Sequence, residues 1–166
     1  VVKPGREGTL VGTRDGRIHW LDPVKGQSRI SWPCAGGEVV TAALCDEAQL
    51  ALVGSENGKV RSISIPDGKV QFDVDADESA IIALAATPNA ETMVTASSSR
   101  SIKLWRRGKA SGYDALLTLP ETVATVRTLQ LSPDGKYLAV LTNINYSLEL
   151  WNLAALQAEF ERLGIE

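Results

Sequence analysis

Cysteine, histidine and aromatic residues are all scarce in this sequence: two Cys, one His, and aromatics at 5% of 166 residues. Two cysteines, Cys34 and Cys45, cannot build a disulfide framework or a cysteine-rich zinc site. A single imidazole, His19, excludes every site that needs two, including the H-E-x-x-H zinc helix. Neither sign of charge dominates. Seventeen Lys+Arg stand against 20 Asp+Glu, a net charge of −3, which argues against broad attraction to nucleic acid or anionic lipid. No apolar run approaches the roughly 18 residues of a membrane helix, and no signal-peptide pattern opens the chain. The sequence begins Val1-Val2 rather than Met, as a piece of a longer product would.

What is present is enough to fold. Hydrophobic residues make up 44% and charged residues 22%, a globular balance, and the length suits one domain. Internal periodicity is the dominant feature. Four segments share one shape: Gly16-Arg17-Ile18-His19-Trp20-Leu21, Gly58-Lys59-Val60-Arg61-Ser62-Ile63, Ser101-Ile102-Lys103-Leu104-Trp105-Arg106 and Ser147-Leu148-Glu149-Leu150-Trp151-Asn152. Their first apolar residues, Ile18, Val60, Ile102 and Leu148, are spaced 42, 42 and 46 residues apart. A tight polar turn and an apolar run precede each one, and a further apolar run comes earlier at Val39–Leu44, Ile81–Ala85 and Val126–Leu131. Four short β-rich runs per unit, separated by Pro, Gly, Asp and Asn turns, read as a small meander.

A repeat of this length with four strands is the pattern of a propeller blade. The turns agree. Ser132-Pro133-Asp134-Gly135 has a proline preset for a turn and a glycine free to take positive φ. Asp15-Gly16 and Asn57-Gly58 are strong two-residue hairpin signals. The expected fold is therefore all-β: a β-propeller with four-stranded antiparallel blades, about three and a half of them, followed by a C-terminal α-helix. The blades fall at approximately 1–34, 35–76, 77–121 and 122–152, and the helical tail at 153–166. In the tail, Leu153, Leu156, Phe160 and Leu163 share one helical face behind an Asn152 cap, and Leu156, Phe160 and Leu163 are expected to pack on the propeller. Three and a half blades do not close a ring, so upstream blades are expected. The three early apolar runs are expected to be innermost strands, almost fully buried.

The closing Leu104-Trp105-Arg106 and Leu150-Trp151-Asn152, with Leu131-Ser132-Pro133-Asp134-Gly135-Lys136-Tyr137-Leu138-Ala139, resemble the repeats of WD-repeat proteins. Arg106 and Asn152 replace the Asp of the closing dipeptide, and the Gly-His pair of that family is missing from every unit. The resemblance then implies that its buried Asp–His–Ser/Thr–Trp network does not form. The stretch from Trp151 through Ile165 is similar to the end of WD-repeat proteins of planctomycete-type bacteria, many of which carry a kinase domain upstream. Gly12-Thr13-Arg14-Asp15-Gly16-Arg17-Ile18 and Gly54-Ser55-Glu56-Asn57-Gly58-Lys59-Val60 also resemble quinoprotein-type blades.

Candidate chemistry is thin. His19 lacks the nucleophile and orienting acid that catalysis would bring to it, so a packed or surface histidine is expected. Cys34 and Cys45 bracket one innermost strand, too far apart along extended chain for a bridge, so both are expected as free thiols. Asp73, Asp75 and Asp77 have the first spacings of a calcium loop, but Glu78 and Leu84 stand at its required Gly and Glu. A solvated connection between strands is expected there. Arg100, Lys103, Arg106, Arg107 and Lys109 form the one basic stretch, read as a solvated edge and loop. Of the four tryptophans, Trp105 and Trp151 occupy a blade-packing position, and Trp32 is the better candidate for an exposed contact.

The function expected on these grounds is a non-enzymatic scaffold that binds a protein or peptide, with no cofactor and no metal. Rigid blades hold variable loops around a wide rim, and binding residues gather on such loops. By the family resemblance the recognising face carries the turns with Arg14, Asp15, Glu56, Asn57, Ser99, Arg100, Asn143 and Asn145, and the connections with Glu38, Asp77, Glu78 and Glu121. The partners expected are a protein or peptide and the remaining blades of the same propeller, with no nucleic acid and no membrane insertion. A soluble protein is expected, the cytoplasm being slightly favoured over the periplasm. Two other readings compete: a quinoprotein-type propeller oxidoreductase, and a structural spacer in a multidomain bacterial signalling protein.

Overall fold

The computed structural model describes residues 1–5, 7–22, 24–34, 37–65, 67–108, 112–120, 124–144 and 146–163. Blade 1 runs β1 (Val2–Pro4), β2 (Thr9–Gly12), β3 (Arg17–Leu21) and β4 (Ser28–Pro33). Blade 2 comprises β5 (Val39–Cys45), β6 (Leu50–Ser55), β7 (Lys59–Ser64) and β8 (Val70–Asp75). Blade 3 comprises β9 (Ile81–Ala86), β10 (Thr92–Ser97), β11 (Ile102–Arg107) and β12 (Tyr113–Leu119). Blade 4 has three strands, β13 (Val126–Leu131), β14 (Tyr137–Thr142) and β15 (Leu148–Asn152), and runs directly into α1 (Leu153–Leu163). Within each blade the strands lie in chain order and pair antiparallel with their sequence neighbours. Among the described residues, no helix is long and apolar enough to cross a membrane.

The first strand of every blade is innermost, since β1 touches β5, β5 touches β9, and β9 touches β13. Three apolar layers fill the gaps between blades. Leu10, Ile18 and Trp20 meet Ala51, Val53 and Ile63 between blades 1 and 2. Leu52, Val60 and Phe72 meet Ile81, Met93, Trp105 and Tyr113 between blades 2 and 3. Val94, Ile102 and Leu104 meet Leu129, Leu138 and Val140 between blades 3 and 4. A strand with a blade on both sides has no solvent face, and every residue of β6 is buried although its side chains alternate in direction. In β14, covered on one side, exposed or half-buried residues alternate with buried ones.

That difference corrects the expectation for the innermost strands. β5 and β9 are largely buried, but in β13 only Val126, Leu129 and Leu131 are, while Arg127, Thr128 and Gln130 are exposed. Thr128 and Gln130 lie on the face of blade 4 that points away from blade 3, while Arg127 stands in the bulge between Val126 and Thr128. The same face carries Tyr137, Leu148 and Leu150, at 45%, 70% and 71% exposure.

The helix forms where the period of the sequence changes, and Asn152 caps it by accepting the Ala155 N–H at 3.0 Å. Its anchor is one turn earlier than the sequence suggested. Because α1 follows β15 without a loop, Leu153 enters the core between blades 3 and 4 at 1% exposure, and its N–H bonds Lys136 O at 2.8 Å. Leu156 and Trp151 pack partly buried against that core, whereas Phe160 is half-buried outside it. The Leu163 side chain lies outside the described positions.

Trp32 is also packed. The indole lies over the turn of blade 2 at Gly68, where an added Cβ would meet its Nε1 at 1.5 Å. It is therefore a contact between blades 1 and 2 rather than an exposed one. Asp73 and Asp75 lie in strand β8, not in a connection, and each pairs with a base directly across from it: Asp73 with Arg61 through two 2.6 Å bonds, Asp75 with Lys59.

Candidate functional site

One end of the blades gathers the second-to-third-strand turns and the connections that lead from each outer strand to the next innermost strand. Backbone bonds hold the two sets together. Cys34 N–H donates to Gly16 O at 2.6 Å, and Ala76 and Asp77 N–H donate to Gly58 O at 3.0 and 3.1 Å. Further along each connection, Glu56 N–H reaches Glu38 O at 3.1 Å, Ser98 N–H reaches Ala80 O at 2.8 Å and Asn143 N–H reaches Thr125 O at 3.0 Å. The first two connections are thus tied to the turns of both blades they join, and the third to the turn of blade 4. The loops are fixed by main-chain bonds, leaving their side chains free to differ.

The described candidate residues stand in the turns and connections of this end face but not in one cluster. Arg14 pairs with Glu38 at 3.4 Å, with the Arg14 side chain 93% exposed, so the pair contributes little to stability. Asp15 accepts from Thr13 Oγ1, which holds its carboxyl below the usual range. Glu56, Asn57, Glu78, Arg100 and Asn143 are exposed. Ser55 Oγ donates to Asn57 Oδ1 at 2.6 Å, a local turn bond. Glu121 and Asn145 lie outside the described residues.

Asp77 is the exception to this dispersion. Its Oδ1 accepts from Ser79 N–H at 3.1 Å, Ser79 Oγ at 2.8 Å and Ser99 Oγ at 3.2 Å, while Lys103 Nζ stands 3.2 Å from Oδ2 and donates to Ala76 O at 2.7 Å. Burial acts to raise the Asp77 pKa, but the Ser79 hydrogen bonds and the Lys103 ammonium outweigh it and bring it below the ordinary value. Asp77 therefore locks the connection between blades 2 and 3 to the β10–β11 turn. Lower in the same blade, Trp105 Nε1 donates to Thr95 Oγ1 at 2.9 Å. The absence of Gly-His implied that no such network forms, yet its Thr–Trp half is present without the histidine. A strand threonine and tryptophan need only pairing register to meet.

The basic stretch is spread along β11 rather than gathered. Arg100 sits in the turn at one end, Lys103 is committed to Asp77, and Arg106 and Arg107 are exposed at the other end. Lys109 lies outside the described residues. His19 is half-buried on β3, on the side of blade 1 away from blade 2. Cys34 and Cys45 are buried and free. Burial pushes the Cys45 thiol up to about 12, assisted by Asp46, and raises Cys34 as well. At the opposite end, the innermost strands line an open depression of about 210 Å³ beside Lys3, Pro4, Leu44, Ala85 and Gln130 among others. Among the described residues, no group of His, Cys, Asp or Glu is placed to hold a metal ion.

Two end-face residues escaped the sequence reading. Arg127, from β13, lies over the Tyr146 ring with its guanidinium carbon 5.8 Å from the centroid. Tyr146 stands two residues before Leu148, just as Gly16, Gly58 and Arg100 stand two before Ile18, Val60 and Ile102. The repeat alignment carried that signal.

The family profile described as "WD domain, G-beta repeat" matches residues 68–106, from the turn before β8 through β11. The sequence repeat is thus offset by one strand from the structural blade. No curated protein matches the chain. Among solved structures, one titled "Crystal Structure of Mitotic Checkpoint Complex" is similar with a TM-score of 0.74 at 18% identity, covering 88% of this chain and 45% of that one. The likeness at that identity is one of fold, and the chain spans under half the length of the protein it matches.

Proposed function

We propose that this chain is a non-enzymatic scaffold that binds a protein or peptide partner through the end face of the blades, as part of a larger WD-repeat propeller. The observation that carries this reading is the anchoring of the loops. Main-chain bonds fix every described turn to its neighbouring connection, so exposed side chains such as Arg14, Glu56, Asn57 and Arg100 vary on a rigid frame. The repeat match and the likeness to a protein that is itself part of a complex favour the same role.

The apolar, exposed face of blade 4 with Tyr137, Leu148 and Leu150 suits the packing of a further blade, since it continues the kind of layer that already joins blades 3 and 4. Replacing Arg14, Glu56 and Arg100 together by alanine tests the end-face assignment. Capture of partners from extract should weaken while thermal unfolding stays nearly unchanged, as for most exposed substitutions. Unchanged capture of every partner by the triple variant would remove the end face from consideration.

A further inference from the structure

The four equivalent turn positions Gly16, Gly58, Arg100 and Tyr146 all hold positive φ, at 73°, 78°, 70° and 48°. Glycine takes this left-handed conformation at no steric cost, whereas an L side chain there is disfavoured. Blades 1 and 2 use the residue the backbone prefers. Blades 3 and 4 use two of the larger side chains available, and both point outward: Arg100 is exposed and Tyr146 is 69% exposed. Such residues persist only where the surrounding structure holds them, and they gather at functional sites; Gln49 and Ala90, in turns at the opposite end, hold positive φ as well.

The surroundings say what that use is. Among the described residues the Arg100 guanidinium has no hydrogen-bond or ion-pair partner, and the Arg127 guanidinium lies over the Tyr146 ring. Strands β10 and β13 touch across the interface of blades 3 and 4, and the Arg100 turn and the Arg127–Tyr146 pair stand at the same end of these adjacent blades. Ile144, at 52% exposure, adds an apolar edge. The turn of blade 1 differs in kind, because Arg14 is already answered by Glu38 and the next turn presents Glu56. Two guanidiniums without an acid partner among the described residues, on the same end of adjacent blades as an exposed tyrosine, match a chain carrying carboxylates or phosphates, which guanidinium binds through charge-assisted bonds.

We propose that Arg100, Arg127 and Tyr146 form the recognition centre of the end face and that it takes an anionic peptide segment. This assignment rests on the end-face reading and names its partner chemistry. The negative charge comes from acidic side chains or from phosphorylated ones, and the probes separate the two.

Four fluorescein-labelled synthetic peptides serve, measured by anisotropy at low and moderate salt: one rich in Glu and Asp, one neutral but for phosphoserine and phosphothreonine, one uncharged and one rich in Lys. At least one anionic peptide should bind in preference to the uncharged and Lys-rich ones and weaken with salt. R100G should lower its affinity about tenfold, the scale of a lost charged hydrogen bond, and Y146G should also weaken it. Both glycine variants should keep or raise the melting temperature, because they relieve the turn. Equal binding of all four peptides, stronger binding of a thymidine oligonucleotide, or undiminished affinity in R100G and Y146G overturns the assignment. If peptide binding survives R100G and Y146G but is lost in R14A/E56A, the end-face reading stands and this one falls.

Discussion

Trp105 donates its indole N–H to the hydroxyl of Thr95 at 2.9 Å inside the layer between blades 2 and 3, with the two residues only 6% and 2% exposed. The donor and acceptor sit on adjacent strands, diagonal to the Met93–Trp105 pair. A buried indole N–H left without an acceptor carries a desolvation cost of roughly 1–3 kcal/mol. Thr95→Val keeps shape and removes the acceptor, so it should lower stability in urea by about that amount. Thr95→Ser keeps the oxygen and should lose less. Equal stabilities for the two variants would show that the bond contributes nothing.

Ser62 presents the opposite case. It is fully buried between Leu52 and Phe72 in register, and its Oγ has no hydrogen-bond partner among the described residues. Removing an unsatisfied hydroxyl should be neutral or favourable, so Ser62→Ala should hold or raise stability by up to about 1 kcal/mol. A clear loss in urea unfolding would mean that the hydroxyl finds a partner in solution.

Asp77 predicts how acid acts on the fold. Its pKa is lowered on folding by the bonds from Ser79 and the Lys103 ammonium, against the effect of burial. A carboxylate depressed in this way adds stability that is complete above its unfolded pKa of about 3.9 and is lost as pH falls through the folded value. Asp73, lowered by its Arg61 bonds, acts in the same direction. Asp77→Asn should therefore lower the melting temperature at neutral pH, and the gap to the parent should close below about pH 4. A gap that persists at pH 2 would assign the loss to packing.

The blade register was legible because it depends on local signals that recur. The Asp15-Gly16 and Asn57-Gly58 turns and the spacing of Ile18, Val60 and Ile102 place the strands without any knowledge of packing. What depended on neighbours was not legible in the same way. The exposure of Thr128 and Gln130 follows from which face of β13 lacks a blade, and the packing of Trp32 follows from Gly68 on another blade. The ion pairs of Asp73 and Asp75 need the exact cross-strand partners Arg61 and Lys59, which become visible only once the hairpin register is known. On the end face, turn composition pointed to Arg100 but not to Arg127 or Tyr146, because the importance of Tyr146 lies in a backbone angle.

The cysteines should be inert in the native state. Cys45 is fully buried, and with its pKa near 12 it holds almost no thiolate at pH 8; Cys34, 5% exposed, is raised in the same sense. A thiol-reactive chromophore should therefore label the folded protein at the rate of unfolding, and label both thiols at once in urea. Fast labelling of the native protein would place at least one thiol in contact with solvent.

The helix contributes through its first turn. Leu153 is 1% exposed in the layer shared by blades 3 and 4, with Leu156 beside it, while Phe160 stands outside that cluster. A buried leucine cut to alanine loses about 2–5 kcal/mol, so Leu153→Ala should cost several kcal/mol and Phe160→Ala much less. The uncovered face of β15 behaves differently. Leu148 and Leu150 remain about 70% exposed with the helix in place, so α1 does not cover them and its removal cannot uncover them. Exposed apolar residues on an uncovered sheet face promote association rather than unfolding. Replacing Leu148 and Leu150 by lysine should thus suppress concentration-dependent aggregation and leave the melting temperature nearly constant. Deleting residues 153–166 should lower the melting temperature without that change in solubility. If the deletion left the melting temperature where it was, the packing of Leu153 would not be part of what holds blade 4 on blade 3.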